Sequence, residues 1–189
     1  MASKVGIISN AFILLGKAPV NDLTTSDPIV TSAVKIYDMT YPDLLAAHPW
    51  RFAMEIKTLD PLTAAPVIDE WTTAYLLPGD LIQLYRVYQK SWYRIYQNQI
   101  YANTSSTETI TIEYTHPVTE DRFPAYFTQL FTYKMAALMA MPVTELVQKG
   151  EYYEKMATGQ LAVARSLDSQ QNPNVTIQND IYLSRHYGD

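Results

Sequence analysis

Three histidines, His48, His116 and His186, are the residues best suited to move protons or hold a metal in this 189-residue chain. None belongs to an HExxH run or to another short ligand spacing. His48 and His116 each precede a proline, one at each border of a strand-rich middle segment. Brought face to face they would still need carboxylates to complete a zinc site. Structural roles are the expectation for both, and His186 lies in the C-terminal stretch. Nucleophile patterns are missing: there is no GxSxG and no SxxK, and the six glycines stand singly, unlike a phosphate-binding loop. With no cysteine, thiolate catalysis, disulfides and sulfur-ligated metals are excluded. Asp69-Glu70 and Glu120-Asp121 set carboxylates side by side, as caps and solvated turns commonly do. A glycosidase-type acid pair needs only to meet in space, and nothing in the sequence selects one. The expectation is a chain with no catalytic residues, no cofactor and no metal.

Binding chemistry is better represented. Arg86, Lys90 and Arg94 are interleaved with Tyr85, Tyr88, Trp92, Tyr93 and Tyr96. Such a mixture can stack bases and touch phosphates, but on paired strands the rings serve first as core and protein interface. The whole-chain balance agrees, because 14 Lys and Arg against 19 Asp and Glu leave a net charge of -5. Tight wrapping of nucleic acid would need clustered positive charge. Charged residues make up only 17%, while there are 15 tyrosines, a residue favoured where one side is apolar and the other wet. Apolar residues at 48% suffice for a folded core within one modest domain.

The elements that must position these groups follow from periodicity. Val5, Ile8, Phe12 and Leu15 mark one face of a first helix over 4–16, with Gly16 as its stop and Pro19 beyond. The apolar N-terminal run could mimic a signal core, but Ser9 and Asn10 interrupt it, and no stretch approaches the ~20 apolar residues of a membrane span. A soluble, unprocessed chain is expected. Asp27 caps a second helix with Pro28 at its first position, and Ile29, Ala33, Ile36 or Tyr37, Thr40, Leu44 and Ala47 form its stripe. Pro42 predicts a kink or break near 39–41, and His48-Pro49 ends the run.

Residues 50–113 read as strands and turns: RFAMEIKTL, Ala74–Leu77, LIQLYRVY, SWYRIYQNQIYA with a reversal at 97–99, and ETITIEYTHP. In the last of these, Ile110, Ile112 and Tyr114 alternate with Thr109, Thr111 and Glu113. A small antiparallel sheet of three to five strands is predicted. Helical periodicity resumes after Pro117, with Thr119 or Asp121 as cap and Pro124 in the first turn. Phe123, Phe127, Leu130 or Phe131, Lys134, Ala137 or Leu138 and Met141 form its face, and Pro142 breaks it or opens the next helix. Residues 144–167 form a last helix with Leu146, Val147, Tyr153, Met156, Leu161 and Ala164 inward; Gly150 and Gly159 suggest a close neighbour or a bend. Residues 168–174 read as a polar linker, followed by an arm whose Val175, Ile177, Ile181, Tyr182 and Leu183 suit a partner better than water.

The fold class is therefore α+β: a platform of about four helices (1–49 and 116–167), an inserted antiparallel β-sheet lobe (50–115), and an extended C-terminal arm (168–189). Several stretches, in this order and spacing, carry a resemblance: AFILLGKAPV at 11–20, LLAAHPWRFA at 44–53, YLLPGDLIQLYRVY at 75–88 and PAYFTQLFTYKMAALMA at 124–140. Together they resemble the head-to-tail adaptor proteins of short-tailed bacteriophages, also called tail tubular protein A. The resemblance covers residues 4–167.

It implies a non-enzymatic virion protein of the neck, assembled in the host cytoplasm. Copies would join as a ring, commonly of twelve, between the portal protein and the tail nozzle or tube. DNA would pass through the channel without specific binding, and no membrane would be involved. Twelve copies at -5 each would total -60, a charge that lets DNA slide. Leu15, Gly16, Pro19 and Val20 would fix the exit of the first helix. His48, Pro49, Trp50 and Phe52 would anchor the helix-to-sheet junction, and Leu77, Pro78 and Asp80 the turn into residues 81–88. The arm would grip the portal. A different neck or tail-completion protein is the alternative, and a carboxylate-dependent hydrolase a more distant one.

Overall fold

The computed structural model describes residues 2–64, 66–88 and 92–171. Four helices and six strands follow the α+β plan. Helix α1 (Lys4–Leu14) begins at Ser3, whose Oγ accepts from the Gly6 N–H at 3.0 Å. It ends where Gly16 takes φ 80°, and there the Gly16 and Lys17 N–H groups return to the Ile13 and Phe12 carbonyls. This paired closure needs a left-handed residue, which glycine supplies without a Cβ penalty. Helix α2 (Pro28–Ala46) starts as expected, with Asp27 Oδ1 accepting from the Ile29 N–H at 2.8 Å.

Two predicted breaks are corrected. α2 runs unbroken through Pro42, and α3 (Ala125–Thr144) runs through Pro142. Both prolines are exposed, so water can take the carbonyl that each missing N–H releases. α3 ends instead at Glu145, in the left-handed region with φ 58°. Helix α4 (Val147–Ser169) follows directly.

The helices share one core. Ile7, Ile8, Phe12 and Leu15 meet Val30, Tyr37, Leu44 and Leu45, and both sets pack on Phe127, Phe131, Met135 and Met139 of α3. The sequence stripe on α3 drifts after Phe131: Leu138 and Met141 are exposed, while Met135, Ala136, Met139, Ala140 and Val143 are buried. α3 is covered by α1 and α2 on one side and by α4 on another, so its buried surface is wider than one stripe. Ile29, Leu146, Val147 and Met156, expected inward, are exposed as well. From α4 the buried apolar residues are Ala157 and Ala164. A Cβ on Gly150 would lie 3.4 Å from the Ala137 carbonyl oxygen, which marks a close α3–α4 approach. A Cβ on Gly159 would meet nothing within 4 Å, so of the two expected roles the close neighbour is corrected there.

The middle segment forms two three-stranded antiparallel sheets, not one. Strands β1 (Met54–Leu59), β3 (Gln83–Val87) and β6 (Ile110–Thr115) lie in the order β1-β6-β3; β2 (Thr73–Leu76), β4 (Tyr93–Tyr96) and β5 (Gln99–Ala102) lie as β2-β5-β4. Arg51–Ala53, expected as strand, is a 3-10 turn. The reversal between β4 and β5 falls at Gln97, with φ 52°. Leu59, Val87, Ile110, Ile112 and Tyr114 from the first sheet pack with Tyr75, Ile100 and Ala102 from the second. This is a core separate from that of the helices. Glu113, on the face opposite Ile112 and Tyr114, is only 7% exposed, and Tyr88 Oη donates to its Oε2 at 2.9 Å.

The chain returns from lobe to platform under two tyrosine latches on α2. Tyr41 Oη accepts from the Val118 N–H at 2.8 Å and donates back to the Val118 carbonyl. Tyr37 donates to Glu120 at 2.9 Å, and burial pushes its hydroxyl pKa far above the ordinary range. Thr119 thus precedes a short 3-10 turn, and Pro124 sits at the N-cap of α3. Among the described residues, no helix is long and apolar enough to cross a membrane.

Candidate functional site

Two polar centres sit where the strands join the helices. The first is built around Asp168, which lies inside α4 and is 1% exposed, correcting its assignment to a linker. Its carboxylate accepts from the Arg51 N–H at 3.1 Å and from Tyr126 Oη at 2.8 Å, and His48 Nε2 lies 3.4 Å away. Beside it Trp50 is fully buried, stacked edge-on with His48 at 4.8 Å, and its Nε1 donates to the Leu44 carbonyl at 2.8 Å. His48 and Trp50 lie side by side at the point where α2 gives way to the strands. Asp168 joins His48 there, and sequence reasoning missed that part, since one acid in a polar run carries no periodic signal.

His48 carries an opposed set of influences. Burial lowers its pKa, the Asp168 carboxylate raises it, and the nearby Arg165 and Arg51 charges lower it; the balance is downward from 6.5. The unfolded chain then binds more protons than the native one as pH falls. The stabilisation is complete above the unfolded value and is lost as pH drops through the folded one. Unfolding free energy measured from pH 8 to 5 should fall more steeply below 6.5 in the wild type than in His48→Gln. An NMR titration midpoint for His48 above 6.5 would reverse that sign.

The second centre lies at the other end of the junction. Glu55 on β1 pairs with Tyr114 on β6, His116 follows two residues later, and Asp80 stands in the turn before β3. One ligand atom from each of Glu55, Asp80 and His116 lies within 4.8 Å of the others. Burial, then the Asp80 and Glu55 charges, raise the Tyr114 hydroxyl pKa well above its usual value. His48 and His116 thus engage different carboxylates and do not form a joint site.

The remaining predicted residues divide. Gly16 holds the left-handed turn, Pro19 is exposed beyond it, and Pro78 and Asp80 make the turn into β3, with the Leu81 N–H returning to the Pro78 carbonyl at 3.2 Å. Val175, Ile177, Ile181, Tyr182, Leu183, His186 and Lys90 lie outside the described residues. The basic–aromatic cluster splits: Tyr93 packs against the lobe core, Tyr96 against the Trp71 cluster, and Arg86 lies 5.6 Å from the Tyr88 ring centre. Tyr85 and Trp92 face outward, Trp92 at 71% exposure.

Apolar exposure is spread over both bodies. Ile56, Tyr85, Trp92 and Ile95 are exposed on the lobe; Ile13, Met141, Leu146 and Val147 are exposed on the platform. A surface groove of about 660 Å³ runs between α1 and α3, lined by Ile7, Ile13, Leu14, Phe123 and Tyr133 among others. A second, of about 540 Å³, borders the α1–α2 loop, where Asp22 is held by Thr24 and Asp27 caps α2. Glu55, Asp80 and His116 line neither. No family model and no curated protein matches the chain.

Proposed function

We propose that this chain is a ring-forming head-to-tail adaptor of a short-tailed bacteriophage, seated between the portal and the tail nozzle or tube. The supporting observation is the division of the chain into two cores. Residues from both ends build the helical platform, while the middle third builds a β lobe with a core of its own. That plan is the one the ordered motifs imply. A closed ring of identical copies needs two different complementary surfaces on each subunit, and exposed apolar side chains occur on the platform and on the lobe alike. The reading assigns the chain no reaction. Its work is to bind neighbours, ring partners on the sides and portal and nozzle at the ends, while an overall acidic ring leaves DNA free to slide.

Negative-stain imaging of the chain mixed with the portal ring of its phage is the direct test. A ring capping the portal is expected; bare portals at saturating concentrations of the chain would remove the adaptor role. A truncation sharpens the assignment of the arm, and it must begin after 171 because Asp168 belongs to the folded core. Deleting 172–189 should leave the helical circular dichroism unchanged while portal capture on beads drops at least tenfold. Undiminished capture would move the portal contact to the platform.

A further inference from the structure

We propose that Glu55, Asp80 and His116 form a site for a divalent transition-metal ion, with zinc as the best-fitting member, at the seam between the lobe and the platform. The site follows from the position of β6 between β1 and β3. Glu55 lies directly across from Tyr114, and His116 lies two residues beyond on the same side of the strand. On the other edge the Ile82 N–H donates to the Thr115 carbonyl at 2.9 Å, which brings the turn carrying Asp80 beside the same strand end. The His116 N–H in turn donates to the Ala53 carbonyl at 3.0 Å, just before Glu55. Three ligands far apart in sequence are therefore held by hydrogen-bonded backbone.

The distances and donor types suit an ion. His116 Nε2 is 3.8 Å from Glu55 Oε2, and all three ligand atoms fall within 4.8 Å. Ligands around a tetrahedral ion with bonds near 2.0–2.2 Å stand about 3.4 Å apart, so small side-chain rotations close the set. Among the described residues this is the one such group of three. An imidazole with two carboxylates favours zinc or a neighbouring transition metal over calcium or magnesium, which prefer oxygen alone. A separate observation points the same way. Tyr114 is 1% exposed, and its hydroxyl reaches into the cluster, bonded to the Glu55 carboxylate and 3.5 Å from Asp80 Oδ1. A metal drawing Asp80 into place would give that buried hydroxyl a ligand to orient, the usual outer-shell arrangement. The ion would also offset the repulsion between two clustered carboxylates. Its role is mechanical: one bond set would tie β1, β6 and the β3 turn together where the lobe meets the helices.

The test is calorimetric titration of the chelator-treated full chain with Zn²⁺, Mn²⁺ and Ca²⁺. One equivalent of Zn²⁺ is expected, with affinity at least tenfold lower in His116→Gln and in Asp80→Asn and unchanged in His48→Gln. Absence of saturable Zn²⁺ binding, wild-type affinity in both site variants, or tighter binding of Ca²⁺ than Zn²⁺ would each overturn the site. If a variant does not fold, cobalt substitution of the wild type decides alone. Intense visible bands of four-coordinate Co²⁺ support the site, and the weak spectrum of aqueous Co²⁺ refutes it.

Discussion

Replacing Trp50 with alanine should lower the unfolding free energy by about 3–5 kcal/mol, the range seen when a large aromatic leaves a packed core. The indole is fully buried, with Phe127 at 5.1 Å and Phe52 at 6.2 Å between ring centres. It thus joins the end of α2 to the first turn of α3 just where the chain departs for the lobe. Its removal opens a cavity that neighbouring rings are too stiff to fill, and it leaves the Leu44 carbonyl without its indole donor. Trp50→Phe retains a ring but loses that N–H, and its cost should be roughly half as large. Urea denaturation followed at 222 nm gives both numbers. A loss below about 1 kcal/mol for the alanine variant would mean that the junction repacks.

Asp168→Ala ranks second. The carboxylate sits near the C-terminal end of α4, where the helix dipole opposes a negative charge, so tertiary partners must outweigh the local cost. Removing it takes the acceptor from the part-buried Arg51 N–H and weakens the hold on Tyr126, at about 1–3 kcal/mol for each group left unsatisfied. A total of roughly 3 kcal/mol is expected, measured by the same urea titration. Asp168→Asn should recover part of it, because an amide oxygen can still accept from one donor. Equal losses for alanine and asparagine would show that the charge, and not the acceptor geometry, holds the junction.

The end of α1 and the start of α2 were the most legible features of the sequence. Asp27 followed by Pro28, and glycine at position 16, act through the backbone within one turn, so neighbouring residues suffice to announce them. The prolines at 42 and 142 misled for the opposite reason. Whether a missing N–H breaks a helix depends on which side of the helix water reaches, and that is decided by the tertiary neighbours. Glu113 shows the same limit on a strand. Alternation placed it on the face opposite Ile112 and Tyr114, but Tyr88, just past the end of β3, donates to its carboxylate. The junction centres were half visible: His48 and His116 stood out by type, while their partners Asp168 and Glu55 lie 120 and 61 positions away. No local pattern encodes such a pairing, and carboxylates are common enough on surfaces that type alone does not select one.

The first helix is finished by the last. Lys149 Nζ donates to the Leu15 carbonyl at 2.8 Å and Tyr153 Oη to the Leu14 carbonyl at 2.6 Å, across 134 and 139 residues of chain. On a ribosome, α1 emerges long before the side chains that complete it exist. At ordinary synthesis speeds the interval is roughly 7–30 s. The β strands pair over much shorter separations, so the lobe can assemble while the two leading helices still wait with their apolar faces uncovered. Birth order and completion thus run in opposite directions: the middle of the chain can mature first, and the platform closes only when synthesis is nearly done.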